Sequence, residues 1–223
     1  MPLLEHFLDP SSVSLKICGL TRESEATRLV ALGVDAIGVN FWPGSKRYLA
    51  PEDATWLRSL AGSILRVGVF VNAPAELPLR LFQEGWLDAI QLHGNETPAD
   101  TAAFHTANIP IIIAIGVKTS DELSHAADYG AAAVLLDAHA PGVYGGTGRV
   151  FDWEIAARFR EEHPSVPIIL AGGIVPENAA LAARTVRPVA LDVASGAEQA
   201  PGIKDFTKVQ ALLHALTTLA GLR

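Results

Sequence analysis

Eight short apolar runs, each followed by a segment of helical spacing, fill a chain of 223 residues. They predict an α/β protein folded as a single-domain (β/α)8 TIM barrel. Three observations carry that expectation. The runs recur at regular intervals. Most are nearly continuous in Val, Ile, Leu and Ala, as parallel strands covered on both faces are. No linker or low-complexity tract divides them. An open doubly wound sheet is the alternative, but eight units without a GxGxxG after the first strand favour closure.

In chain order the predicted strands are "LKICG" (15–19), "AIGVNF" (36–41), "LRVGVFV" (65–71), "AIQLHG" (89–94), "IPIIIAIGV" (109–117), "AAVLLDA" (132–138), "VPIILAGG" (166–173) and "VALDVASG" (189–196). The helices between them carry their own punctuation. "TRESEATRLVALG" offers Thr21 as a cap, acidic residues in the first turn and Gly33 as a stop. "APEDATWLRSLAG" sets Pro51 in a first helical turn, and "VPENAALAARTV" does the same with Pro176. "KDFTKVQALLHALTTLA" closes the chain as a long amphipathic helix. Residues 1–14 precede the repeating pattern and read as an N-terminal extension to a barrel at 15–223. They hold no basic or long apolar stretch, so they do not read as a secretion signal.

Composition narrows the function classes. Cys18 is the only cysteine, so no disulfide can close within the chain, as in proteins of a reducing compartment. The longest apolar run, at 109–117, is too short to span a bilayer, and the expectation is a soluble cytoplasmic protein. Net charge is −7 with no basic cluster, which argues against nucleic acid as a partner. A locally positive site for a small anion remains compatible with an acidic protein.

In a barrel of this kind the chemistry sits at the C-terminal ends of the strands. Cys18 ends the first strand, on the same face as Lys16, with Gly19 turning the chain at once. From position alone it is either a small buried hydrophobe or a chemical group. Asp137 ends the sixth strand directly after two leucines, where a carboxylate needs a task or a partner. Arg47 follows the second strand on the same rim and has the geometry to take a carboxylate bidentately, or to stand as a solvated charge. "AGGI" (171–174) and "ASGAE" (194–198) end the seventh and eighth strands, the recurrent phosphate site of the fold, where Gly173, Ser195 and Gly196 offer backbone and hydroxyl donors. Gly142, Gly145, Gly146 and Gly148 make the loop after the sixth strand either a mobile surface loop or a lid. His93 and His139 are strand-end histidines without the acidic companions a metal site needs, so no metal is expected.

The segments "LKICGLT", "FWPGSKRYLAPEDA", "VGVFVN", "IQLHGNE", "LLDAHAPGVYGGTGRVFDW", "ILAGGIVPENA" and "LDVASGAEQAPGIKD" together resemble the phosphoribosylanthranilate isomerases of tryptophan biosynthesis, in order from residue 15 to the last helix. The resemblance implies an Amadori rearrangement of N-(5-phospho-β-D-ribosyl)anthranilate to 1-(2-carboxyphenylamino)-1-deoxy-D-ribulose 5-phosphate, by an enzyme needing no cofactor. It implies Asp137 as general acid, Cys18 as general base, Arg47 on the anthranilate carboxylate, and the backbone about Gly173, Ser195 and Gly196 on the phosphate. Asp192 either meets the substrate or braces its strand. Ala194 stands where the family often has serine.

Such roles call for a thiol pulled down toward neutrality, by Lys16 and Arg47, and an acid pushed up by burial among Leu135 and Leu136. The rivals are a ribulose-phosphate epimerase, which expects metal ligands missing here, and a histidine-pathway isomerase, which uses two aspartates where this chain has Cys18 first. A non-catalytic phosphate-ligand binder is the third. Trp56 and Phe82 are apolar residues that would suit a dimer face or the barrel's own packing, leaving monomer and homodimer both open.

Overall fold

The computed structural model describes residues 2–138 and 152–220. Eight parallel strands form one closed barrel in sequence order: β1 (Ser14–Cys18), β2 (Ala36–Asn40), β3 (Leu65–Phe70), β4 (Ala89–Leu92), β5 (Ile111–Val117), β6 (Ala133–Ala138), β7 (Ile168–Leu170) and β8 (Ala190–Val193). The helices are α1 (Pro2–Phe7), α2 (Glu23–Leu32), α3 (Glu76–Gln83), α4 (Ala102–Thr106), α5 (Trp153–Glu162), α6 (Pro176–Val186) and α7 (Phe206–Ala220). A small antiparallel hairpin, β9 (Glu198–Ala200) with β10 (Ile203–Lys204), follows β8. His139 and the glycine-rich loop proposed as a lid lie outside the described residues.

Each strand is buried on both faces, which is why its sequence shows no polar alternation. One apolar layer, including Ile17, Ile37, Ile90 and Leu136, packs outward against the helices. A second, of Ala36, Leu65, Val67, Ala89, Ile112, Ala133, Leu135 and Ile169, fills the barrel itself. Small and large side chains alternate there, as a closed tube of this width requires.

Two crossovers depart from the expected helices. Residues 51–60 form short 3-10 turns, Pro51–Asp53 and Thr55–Leu60, and not one α-helix from Pro51. The stretch needs only to bury Leu57 and Leu60, and a tight 3-10 segment does that in less length. At α2 the cap residue is Arg22, with no side-chain bond to the helix; Thr21 Oγ1 instead donates to the carbonyl of Gly202 at 2.9 Å. Gly33 stops α2 as expected, in a left-handed conformation at φ 78°. Trp56 and Phe82 are partly buried against the core, while among the described residues the exposed large apolar side chains are Tyr48 and Leu181. No helix among the described residues is long and apolar enough to cross a membrane.

The first residues have a structural task. Helix α1 packs on β3 and sends Leu4 and Phe7 into the apolar cluster that fills the barrel. Phe7 is fully buried. The N-terminal helix thus stoppers the end of the barrel opposite the strand C-termini. Phe7→Ala is expected to cost about 3–5 kcal/mol, as truncation of a buried aromatic does. Urea unfolding should show the midpoint falling with the slope unchanged; an unaltered midpoint would mean that the helix only rests on the surface.

Candidate active site

Above the apolar filling, the inward positions of the strands turn polar. Lys16 of β1 stands opposite Asp192 of β8 in the parallel register, so both side chains point the same way across adjacent strands. Lys16 Nζ donates to Asp192 Oδ2 and to Gln91 Oε1 of β4, each at 2.9 Å. Lys16 is fully buried, Asp192 nearly so, and the second oxygen of Asp192 has no hydrogen-bond partner among the described residues. Asp192 therefore braces Lys16 with one oxygen and keeps the other open.

Lysine has donors only, so the oxygen of the Gln91 amide must face Lys16 and its NH2 must face away. That NH2 lies 3.2 Å from His93 Nδ1, which is thereby an acceptor. The neutral ring then carries its proton on Nε2, 3.5 Å from Asp137 Oδ2. The backbone N–H of Ala138 donates to the other oxygen of Asp137 at 2.8 Å. One directional row, Asp192–Lys16–Gln91–His93–Asp137, thus crosses the mouth of the barrel. The His93 ring is hydrogen-bonded by Gln91, and no group of three or more His, Cys, Asp or Glu among the described residues is placed to hold a metal.

Burial works against the Lys16 ammonium, but Asp192, with Cys18, outweighs it and holds the lysine above its ordinary pKa. Cys18 is partly buried, with Gly38 beside it across β1 and β2. Burial pushes its thiol up; Lys16, Lys204 and Arg47 pull down, Asp192 adds to the push, and the balance is upward. Lys16 and Arg47 do pull the thiol down as expected, but burial, the larger effect, keeps the net shift upward. Both cations face carboxylates of their own, Lys16 in Asp192 and Arg47 in Glu198. A thiol whose pKa is higher folded than unfolded stabilises the fold below the unfolded value, and that contribution is lost as pH rises through the folded one.

Arg47 reaches the rim as expected, yet its Nε and Nη2 are already bonded to Glu198. The loops after β7 and β8 meet each other. Gly172 and Gly173 take φ of 82° and 65°, a left-handed pair that side chains adopt only at a cost. A Cβ on Gly172 would fall 2.7 Å from the Ala138 nitrogen and 3.0 Å from Asp137 Oδ1, so the missing side chain lets the loop press on the β6 end. Asn178 of α6 ties this loop to its helix, accepting from Val175 N–H and donating to the Gly173 carbonyl, both at 2.9 Å. Ser195 and Gly196 lie in one 3-10 turn after β8, where a Cβ on Gly196 would run into the carbonyl of Ile174. Gly173, Ser195 and Gly196 are thus held in two contacting loops.

Sequence reasoning had not singled out Gln91, Asn178, Glu198 or Lys204. Gln91 carried a usable signal, since it is an amide between Ile90 and Leu92 inside an apolar run, the same oddity that marks Asp137.

A closed barrel with a thiol, carboxylates and a buried lysine gathered toward the strand C-termini has the make-up of a (β/α)8-barrel enzyme. Residues 15–215 match the family of N-(5'-phosphoribosyl)anthranilate (PRA) isomerases. A protein of Syntrophus aciditrophicus named N-(5'-phosphoribosyl)anthranilate isomerase is 41% identical over 211 residues, 94% of this chain and 89% of that one. The crystal structure of phosphoribosyl anthranilate isomerase from Thermotoga maritima superposes with a TM-score of 0.83 at 36% identity, covering 92% of this chain and 99% of that chain. A phosphoribosyl anthranilate isomerase solved in complex with reduced 1-(o-carboxyphenylamino)-1-deoxyribulose 5-phosphate superposes at 0.80 with 35% identity, covering 92% and 99%. The chain belongs to the phosphoribosylanthranilate isomerase family.

Two outcomes check this geometry. Because Cys18 is the sole cysteine, its alkylation by iodoacetamide reports one thiol. Alkylation of the folded protein should stay slow through neutral pH and climb only above the ordinary thiol range, and Lys16→Met should move the climb higher. A climb near neutrality would contradict the upward shift. A 15N spectrum should show neutral His93 protonated at Nε2; a proton on Nδ1 would break the directional row.

Proposed function

We propose that this chain catalyses the Amadori rearrangement of N-(5-phospho-β-D-ribosyl)anthranilate to 1-(2-carboxyphenylamino)-1-deoxy-D-ribulose 5-phosphate. The observation that carries the reading is the polar row between Lys16, which faces the Cys18 thiol, and Asp137, set on a barrel whose relatives bear that activity's name. The reaction moves oxidation level within one molecule, from C1 to C2 of the sugar, so it consumes neither oxidant nor hydride donor.

Asp137 gives its proton to the furanose ring oxygen as the C1–O bond breaks, leaving a Schiff base between C1 and the anthranilate nitrogen. Cys18, as thiolate, takes the proton from C2; the electron pair moves to the C1–nitrogen system and forms an enolamine. Tautomerisation to the ketone completes the isomer. Arg47 meets the anthranilate carboxylate, and the loops of Gly173, Ser195 and Gly196 grip the phosphate at the fold's recurrent anion site. Asp192 serves through Lys16, which stands beside the base.

The raised thiol has a consequence for pH dependence. Cys18 rests protonated at neutral pH, and the fraction of free enzyme with the base in place grows as pH rises. On this reading the catalytic unit is the barrel of residues 15–223, working in the cytoplasm as a monomer or homodimer on a phosphorylated small molecule.

The test follows consumption of freshly made phosphoribosylanthranilate by its anthranilate fluorescence. Cys18→Ala and Asp137→Asn should each lower kcat by about 100-fold or more, the usual scale for a positioned acid or base. The thiolate fraction of the wild-type protein, followed by its ultraviolet absorbance, should still be climbing above the ordinary thiol range. Wild-type protein no faster than spontaneous decay would remove the assignment.

A further inference from the structure

Arg47 offers a ligand only part of its guanidinium. Nε and Nη2 donate to the two oxygens of Glu198 at 2.8 and 2.7 Å, the fork-on-fork arrangement that fixes the plane of both groups. Glu198 is buried, and its Oε1 also accepts from Lys204 Nζ at 2.7 Å and from the Gly202 N–H at 3.1 Å. Lys204 Nζ in turn donates to the backbone carbonyl of Cys18. A Cβ on Gly19 would collide with the Arg47 side chain, so the arginine stem lies directly over the turn that follows Cys18.

This is not a surface ion pair free to open. Burial acts to raise the Glu198 carboxyl, but Arg47 and Lys204 overcome it and hold it below the ordinary range, charged at neutral pH. Arg47 and Lys204 both face Glu198, so the arginine edge turned away from it is left for an incoming carboxylate. Without Glu198, Arg47 would face a second buried cation and have nothing to set its plane.

We propose that Glu198 is the positioning residue of the carboxylate clamp: it holds Arg47 by the Nε–Nη2 edge, presents the end-on edge of Nη1 and the second Nη2 proton to the ligand carboxylate, and through Lys204 fastens that clamp to the strand end bearing Cys18. The inference rests on the reading that Arg47 meets a substrate carboxylate, and it adds how that arginine is aimed. It also predicts that lysine cannot replace Arg47. A point charge would turn wholly to Glu198 and leave no second edge for the ligand.

The experiment measures binding of two ligands by calorimetry. One is reduced 1-(2-carboxyphenylamino)-1-deoxyribulose 5-phosphate; the other is its phenylamino counterpart, which lacks the carboxylate. Glu198→Gln should weaken the first by roughly tenfold or more and leave the second within about twofold, as loss of one charge-assisted contact predicts. Equal weakening of both ligands would show a merely structural role and overturn the proposal, and so would no weakening of either.

Arg47→Lys supplies a second arm should Glu198→Gln fail to fold. It should lose roughly tenfold or more on the carboxylate ligand alone, and binding within about twofold of wild type would overturn the proposal. Wild-type protein that binds both ligands equally would instead remove Arg47 from the carboxylate site, and the clamp with it. Wild-type discrimination with Glu198→Gln unchanged would overturn the positioning role alone.

Discussion

A lysine with no exposed surface inside a barrel is the constraint on which the site depends. Lys16 cannot be left alone there, because an isolated ammonium out of water costs several kcal/mol even after relaxation. Asp192 answers it from the neighbouring strand, and their register pairing means that closing the β1–β8 seam and forming the ion pair are one event. The rest of the site's orientation follows from that charge. Lys16 decides which way the Gln91 amide turns, the amide decides which His93 nitrogen bears the proton, and the ring presents that nitrogen to Asp137. A hydrophobic replacement of the pair could be as stable. It would not transmit direction.

The rim is governed by a second charged group with a different logic. Around Glu198 two cations share one carboxylate, whereas Lys16 has Asp192 to itself. Sharing leaves Arg47 an edge for a ligand; a one-to-one pair holds a framework. The two meet at Cys18, whose side chain lies by Lys16 and whose carbonyl is bonded by Lys204. The thiol stays mostly neutral between them because burial outweighs the pull of the cations.

Much of this was legible in the sequence, for identifiable reasons. Parallel strands covered on both faces leave unbroken apolar runs, and eight of them can be counted directly. Cys18 and Asp137 stood out because each is polar or reactive at the end of such a run. Arg47 could be placed on the rim, but its partner could not be read, since Glu198 lies 151 residues further along and only closure brings the two together. A separation of 181 residues likewise hides Thr21's bond to Gly202 from a cap-based reading. Pro51 announced a helix start correctly in kind, yet a stretch needing only two buried leucines settled for 3-10 turns. Helix α1, six residues long, shows no periodicity from which its packing could be inferred.

The seam between β1 and β8 also has a meaning in time. Lys16 and Asp192 are separated by 176 positions, so the first strand has nothing to close the barrel against until β8 has been made. Forming such a contact requires the loop-closure entropy of a very long intervening segment, which slows it relative to local strand pairing. Any barrel begun before β8 arrives carries an unpaired edge and a half-covered apolar face open to association with other chains. The Lys16 ammonium spends that interval in water, where it helps to keep the unfinished edge soluble. It becomes part of the interior only when its last neighbour arrives.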